Sequence, residues 1–268
     1  MIYKNIAQTG IQVSQIGLGT VKIGRDKGVK YPSHFSIPND SAVCDLLALA
    51  SELQINLLDT APAYGDSEAR LGKLLGAQRK NWVICSKAGE SFDNCSGESS
   101  FDFSERALTL SVERSLQRLN TDYIDILMIH SDGRDMEIIE RDGALQTLDK
   151  LKRQGKIRAS GMSTKTIAGG RAALEQSDCA MVTYNLAQRE ELPLLEYATA
   201  LDKGIFIKKA FASGHLQSAA TTDPISASFE LIFAQPSVSS AVIGTINPQH
   251  LRDNVAKYLK ACQTLTLK

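Results

Sequence analysis

Cysteine is scarce in this chain, and no two cysteines stand in a Cys-x-x-Cys spacing. The five (Cys44, Cys85, Cys95, Cys179 and Cys262) are an odd number scattered over 268 residues. That argues against a disulfide framework or a cysteine zinc site, no metal is expected, and a reduced, cytoplasmic compartment fits. Net charge is also missing, since Lys+Arg and Asp+Glu both number 30. Without an excess of one sign there is no broad field to hold nucleic acid or an anionic membrane, so neither is expected as a partner. No run of about 18 apolar residues occurs, so no membrane span is predicted. The opening MIYKNIAQTG lacks the basic-then-apolar order of a secretory signal. No linker, repeat or partner helix stands out, and a monomer is the default expectation.

What the chain does have is an alternation of patterns. Short apolar runs suit strands covered on both faces. They are IGLGT (16–20), NLLDT (56–60), WVICSK (82–87), YIDILMIH (123–130), IRASGMS (157–163), AMVTYN (180–185), IFIKKA (205–210) and SSAVIGT (239–245). Amphipathic stretches lie between them. Val43, Leu46, Leu47 and Ala50 share one helical face, and Leu251, Asn254, Val255, Tyr258 and Leu259 nearly repeat it. Asp223-Pro224 and Asn247-Pro248 read as an N-cap followed by proline at the first helical position. Eight strands alternating with helices predict one α/β domain over residues 1–268, a closed (β/α)₈ TIM barrel; an open doubly wound sheet is the alternative. Residues 4–14, with a Thr9-Gly10 turn, predict a small hairpin closing the barrel bottom. Two long connections, 22–40 and 88–104, follow strands and belong at the top, where barrel active sites lie.

GLGTVKIG (17–24) begins like a dinucleotide fingerprint, but its third glycine position is Lys22 and no helix is expected directly after it. A turn at a strand end is the better reading.

Three predicted strands end in a titratable side chain: Asp59, Lys87 and His130. Tyr64 follows Asp59 by five residues in a turn-rich loop. Each alone has an ordinary explanation as a cap, a solvated amine, a core imidazole or a packing ring. In a barrel all four converge on one mouth, and then a definite chemistry becomes available. A phenol titrates near 10, and bringing it to about 7 requires about 4 kcal/mol of preferential stabilisation of phenolate. A nearby ammonium works in that direction, and an adjacent carboxylate keeps the ammonium charged. An imidazole can orient a carbonyl oxygen by hydrogen bonding. The set can protonate an oxygen while hydride attacks its carbon, and hydride requires a nicotinamide.

With these motifs in order, the sequence resembles the aldo-keto reductase family. The matching segments are GLGT (17–20), DTAPAYG (59–65), VICSK (83–87), SVERSLQRLNTDYIDILMIH (111–130), GMS (161–163), YNL (184–186) and IGTINPQHLRDN (243–254). The resemblance implies an NAD(P)H-dependent barrel enzyme that reduces aldehydes or ketones to alcohols without a metal. It implies NADP(H) as cofactor, with NAD(H) as the alternative, and a small carbonyl compound as substrate. It assigns Asp59, Tyr64, Lys87 and His130 as catalytic, with Tyr64 as general acid. For the cofactor it implies Thr20, Asp59, Ser163, Thr164, Lys208, Phe211, Ser213, Gly244, Thr245, His250 and Asn254. The chain departs from the family where an asparagine is replaced by Thr164, a glutamine by Met181 and a stacking aromatic by Lys208, within IKKAFASGHL (207–216). IGTINPQHL also places Gly244 and Thr245 before a capped helix, whose N-terminal N–H groups and dipole favour a phosphate. Loop aromatics Tyr31, His34, Phe35, Phe92, Phe101 and Phe103 are candidates to line the substrate pocket.

Two other functions are compatible with the pattern. One is a barrel aldolase or isomerase forming a Schiff base on Lys87. The other is a cofactor-binding regulatory protein with little turnover.

Overall fold

Inward-facing alternation along each strand carries the architecture. The computed structural model describes residues 1–29, 31–32, 34–215 and 222–267. Leu216, at the end of the segment quoted above, lies outside the described residues. A hairpin comes first, with β1 (Tyr3–Asn5) antiparallel to β2 (Gln12–Ser14). The chain then runs through β3 (Ile16–Gly19), a one-turn α1 (Val21–Gly24), α2 (Asp40–Glu52) and β4 (Leu57–Asp59). α3 (Ser67–Leu75), β5 (Val83–Ala88), a second hairpin of β6 (Glu90–Phe92) and β7 (Ser99–Phe101), and α4 (Glu105–Leu119) follow. Next come β8 (Ile124–His130), α5 (Asp135–Glu140), α6 (Ala144–Arg153), β9 (Ile157–Ser163), α7 (Ile167–Gln176) and β10 (Cys179–Thr183). α8 (Leu192–Ala200), β11 (Gly204–Lys208), α9 (Pro224–Phe233), β12 (Val238–Ile243) and α10 (Pro248–Thr266) complete the described chain.

Strands β3, β4, β5, β8, β9, β10, β11 and β12 close into a parallel eight-stranded barrel in that order, and β12 pairs back onto β3. Helices separate successive barrel strands, the (β/α)₈ arrangement. The expected helix starts are present: Asp223 accepts from Ser226 N at 3.2 Å, and Asn247 accepts from Gln249 N at 2.8 Å and His250 N at 3.2 Å. The first hairpin sits at the bottom as expected. Its Ile6, Ile11 and Val13 pack in one buried cluster with Leu57, Cys85, Ile126, Met128, Ala159, Cys179, Met181 and Phe206, the inward residues of six strands.

Two features differ from expectation. A single helical turn, α1, directly follows β3 and Thr20, too short to carry a nucleotide fold. The connection 88–104 carries the hairpin β6–β7, turned by Asp93, whose Oδ1 accepts from Cys95 N at 2.6 Å and Ser96 N at 3.1 Å.

Helix α3 is tied to the barrel through a carboxylate. Glu68 is fully buried; its Oε1 accepts from Ser86 Oγ of β5 at 2.6 Å, and its Oε2 from Ser115 Oγ and Arg118 Nε of α4 at 3.1 and 2.8 Å. Removing one member of a buried charged network strands its partners. Glu68→Ala is therefore expected to lower stability by about 3 kcal/mol, seen as a lower urea midpoint; an unchanged midpoint would show that the network adds nothing.

Candidate active site

The period-2 geometry of strands explains why the titratable groups gather. Asp59 stands two residues beyond inward Leu57, Lys87 two beyond Cys85, His130 two beyond Met128, and Lys208 two beyond Phe206. Each inward row therefore finishes at the C-terminal mouth on a polar side chain. Asp59 and Lys87 are 3% and 1% exposed. Lys87 Nζ donates to Asp59 Oδ1 at 2.6 Å and to the Thr60 carbonyl at 2.9 Å. Tyr64 ends a short 3-10 turn (Pro62–Tyr64), and its hydroxyl donates to Asp59 Oδ2 at 3.4 Å. The Lys87 amine lies 4.6 Å from the Tyr64 ring centroid. The His130 and Tyr64 rings meet edge to face at 6.2 Å. The four residues expected to converge do so.

Backbone packing fixes the Tyr64 turn. A Cβ on Gly24 would lie 2.3 Å from the Tyr64 carbonyl, and one on Gly65, at φ +59°, would lie 2.2 Å from the Gly24 carbonyl. Only glycines let α1 and the turn approach so closely. Arg25 then donates from NH1 to the Ala63 carbonyl at 2.8 Å and lies 3.5 Å over the Phe92 ring.

The electrostatics correct one expectation. Burial opposes the Lys87 ammonium, but Asp59 overcomes it and the amine is held above its ordinary value. The Tyr64 phenol, expected to be lowered by Lys87, is instead raised, first by burial and then by the Asp59 carboxylate, with Lys87 only partly offsetting them. The phenol faces a neutralised ion pair rather than a bare cation, so it stays protonated at neutral pH.

The residues expected at the cofactor fall into groups. Ser163 Oγ accepts from Lys208 Nζ at 3.0 Å, and that amine also donates to the Thr164 carbonyl at 2.7 Å. Burial pushes the Lys208 amine down to about 8. Thr164 Oγ1 is buried without a hydrogen-bond partner among the described residues. Met181 is buried in the barrel core. The Thr20 hydroxyl is engaged within the chain, donating to the Asp59 carbonyl at 2.8 Å and accepting from Ser67 Oγ at 2.7 Å. Phe211 packs edge-on against Phe229 at 5.2 Å, and Ser213 lies in a left-handed turn at φ 57°. Gly244 and His250 are exposed, Thr245 is buried at 8% exposure, and Asn254 sits on the buried face of α10. The sequence suggested first-turn N–H groups of α10 free for a phosphate, but they are already taken. The Asn247 cap takes those of Gln249 and His250, and Leu251 N donates to the Asn247 carbonyl. The dipole of the helix remains.

Several loop aromatics pack within the loops. Tyr31 and Phe35 meet edge to face at 5.7 Å, with the Lys22 amine 4.2 Å over Tyr31, and Phe101 stacks on buried Phe103 at 6.3 Å. One residue at the mouth had not been expected. Glu90, from β6, places Oε2 2.8 Å from Nδ1 of His130. Its signal was the alternating ESF and SSF on either side of a turn-rich DNCSG.

Known proteins agree with this architecture. A family model described as "Aldo/keto reductase family" matches residues 15–231. The chain belongs to the aldo/keto reductase family. Two Bacillus subtilis proteins are similar to this family member. The "Uncharacterized oxidoreductase YqkF" is 26% identical over 94% of this chain and 89% of its own. Aldo-keto reductase YhdN is 34% identical over 74% of this chain and 58% of its own. The crystal structure of PA4992 from Pseudomonas aeruginosa is 55% identical, covers 97% of this chain and 95% of that one, and superposes with a TM-score of 0.88. Among the described residues of this oxidoreductase-family chain, no helix is long and apolar enough to cross a membrane, and no cluster of side chains suits a metal ion.

The buried pair makes a stability prediction. Because the Lys87 pKa is raised, its stabilising contribution is complete through neutral pH and is lost only as pH rises through the folded-state value, above 10.5. Asp59→Asn leaves the ammonium buried without its counter-charge and is expected to cost about 3–5 kcal/mol at neutral pH. Its deficit should shrink as pH rises and the amine neutralises, which urea unfolding at neutral and alkaline pH will read.

Proposed function

We propose that this chain reduces a small aldehyde or ketone to an alcohol with NADP(H), or alternatively NAD(H), with Tyr64 as proton donor. The observation that carries the reading is the buried Asp59–Lys87 pair, with the Tyr64 phenol and His130 imidazole at the same mouth. Family membership supports it. So does similarity to the NADH-specific methylglyoxal reductase of Escherichia coli, 29% identical over 76% of this chain and 64% of that one.

The residues present fit a nicotinamide. The orphaned Thr164 hydroxyl and the Ser163 hydroxyl beside it can pair with a carboxamide, a group with two donors and an acceptor. Gly244 and Thr245, ahead of the α10 dipole, would face the phosphates. When bound, the nicotinamide supplies the hydride that no side chain can deliver. The chain does the rest. Tyr64, protonated at neutral pH, gives its proton to the carbonyl oxygen as negative charge develops there. Lys87 then stabilises the phenolate left behind, and Asp59 keeps Lys87 charged while it does so. Burial of the Asp59–Lys87 pair strengthens these interactions.

The Schiff-base alternative on Lys87 meets an obstacle, because an amine held protonated by Asp59 is a poor nucleophile. Lys208, pushed down to about 8, is better suited. Borohydride trapping with an aldehyde would mark Lys208 if that chemistry operates. A purely regulatory role leaves the whole proton-donating set without a purpose.

Tyr64→Phe is expected to lower turnover by about 10²- to 10⁴-fold while leaving cofactor affinity unchanged. Titration with NADPH and NADH separately, then an aldehyde panel with the tighter cofactor, checks this. Full turnover by the variant would remove Tyr64 from its role.

A further inference from the structure

The hairpin β6–β7 brings a carboxylate to the mouth that belongs to no barrel strand. Glu90 Oε2 lies 2.8 Å from His130 Nδ1, and the two side chains are 13% and 20% exposed. The other Glu90 oxygen accepts from Ser99 Oγ of β7 at 2.7 Å, so the hairpin itself holds the carboxylate. The approach to Nδ1 is oblique rather than along a well-aligned hydrogen bond. The separation still favours one place for the proton. A carboxylate oxygen and a bare imidazole lone pair repel at this distance, whereas an N–H attracts. Burial opposes the Glu90 charge, yet His130, Ser99 and Arg25 together hold the carboxyl below its usual range. An ionised carboxylate only accepts, so the contact favours a hydrogen on Nδ1. A neutral imidazole has one N–H, and Nε2 is then a lone pair.

Building on the reading of carbonyl reduction above, we propose that Glu90 is a positioning residue that locks neutral His130 in its Nδ1–H tautomer, so that His130 donates from Nε2 to a carbonyl oxygen only as imidazolium. The neutral ring instead accepts at Nε2 and suits an alcohol O–H. The two protonation states of one side chain therefore favour opposite directions of the same reaction.

The charged groups around the ring set how often the imidazolium forms. Glu90 of β6 favours it. Lys87 of β5 and Lys208 of β11 oppose it. Tyr64 presents a protonated phenol, and Ser163, the register partner of His130 on β9, is uncharged. Arg25 acts on Glu90 rather than on the ring. Burial is the largest influence, and the His130 pKa lies below its ordinary 6.5. Neutral His130 thus dominates at pH 7. Acidification through its pKa raises the imidazolium fraction and the reductive rate, while the oxidative rate moves the other way.

Glu90→Gln tests the lock, because an amide can turn its N–H toward Nδ1 and release the Nε2–H tautomer. Long-range proton–nitrogen-15 spectra of the ligand-free protein report the tautomer, and His130→Asn assigns its signals among the four histidines. The wild type should show Nδ1–H and the variant Nε2–H. In parallel, wild-type reductive kcat should rise by up to about tenfold per pH unit toward acid, and the Glu90→Gln profile should be flat between about pH 5.5 and 8. An Nε2–H tautomer in the wild type, or identical profiles in both proteins, would overturn the proposal. The spectra need no turnover. A wild type with the Nδ1–H signature but no activity on any carbonyl would support the lock while refuting the reductase reading.

Discussion

The buried contact between Asp59 and Lys87 is the constraint on which the mouth of the barrel depends. An ammonium that is 1% exposed is tolerated only with a counter-charge and hydrogen-bond acceptors, and Asp59 Oδ1 with the Thr60 carbonyl takes two of its three N–H groups. That requirement fixes the register of β4 against β5, which pairs Asp59 with Cys85 and leaves Lys87 one inward step higher. It also fixes the turn after β4, because Tyr64 reaches the second oxygen of the same carboxylate. Thr20 and Ser67 brace that strand end through a chain of hydroxyls ending on the Asp59 carbonyl. Chemistry and fold therefore rest on one pair, since a slip of one residue in either strand would turn the charges toward the helices.

The phenol shows why the sign of a pKa shift cannot be taken from a single neighbour. Lys87 alone would lower Tyr64, but its charge is largely cancelled by the carboxylate it binds. Burial and Asp59 then win. This suits a proton donor. A phenol that ionised readily at rest would be spent before the substrate oxygen needed its proton. In the proposed reduction, the attraction of Lys87 for the phenolate would count mainly after the proton has left, when stabilisation lowers the barrier instead of the ground state.

Much of this was legible in the sequence, for physical reasons particular to the residues. Strands buried on both faces read as continuous apolar runs, so all eight barrel strands were visible, and the Asp223 and Asn247 caps announced α9 and α10. Asp59, Lys87 and His130 stood out because each interrupts such a run at its end. Glu90 did not, because it lies in a polar connection where a carboxylate is unremarkable until the hairpin β6–β7 folds it onto His130. The fate of the α10 N–H groups was hidden for a similar reason. Asn247 could be recognised as a cap, but only coordinates show that it takes two of the donors a phosphate would have used.

The two mouth lysines differ in what they bind. Lys87 and Lys208 are the same residue type on inward rows of one barrel, and their amines move in opposite directions. The difference is the partner. Lys87 has a carboxylate at 2.6 Å, whereas Lys208 has a hydroxyl and a peptide carbonyl, and Glu191 adds only partial compensation. Uncharged acceptors satisfy the N–H groups of an ammonium without offsetting the cost of burying its charge. His130 stands in the field of both amines, each of which resists a second positive charge. The carboxylate that β6 delivers therefore works against burial as well as two cations from the barrel strands, and that balance decides how often the imidazole is charged.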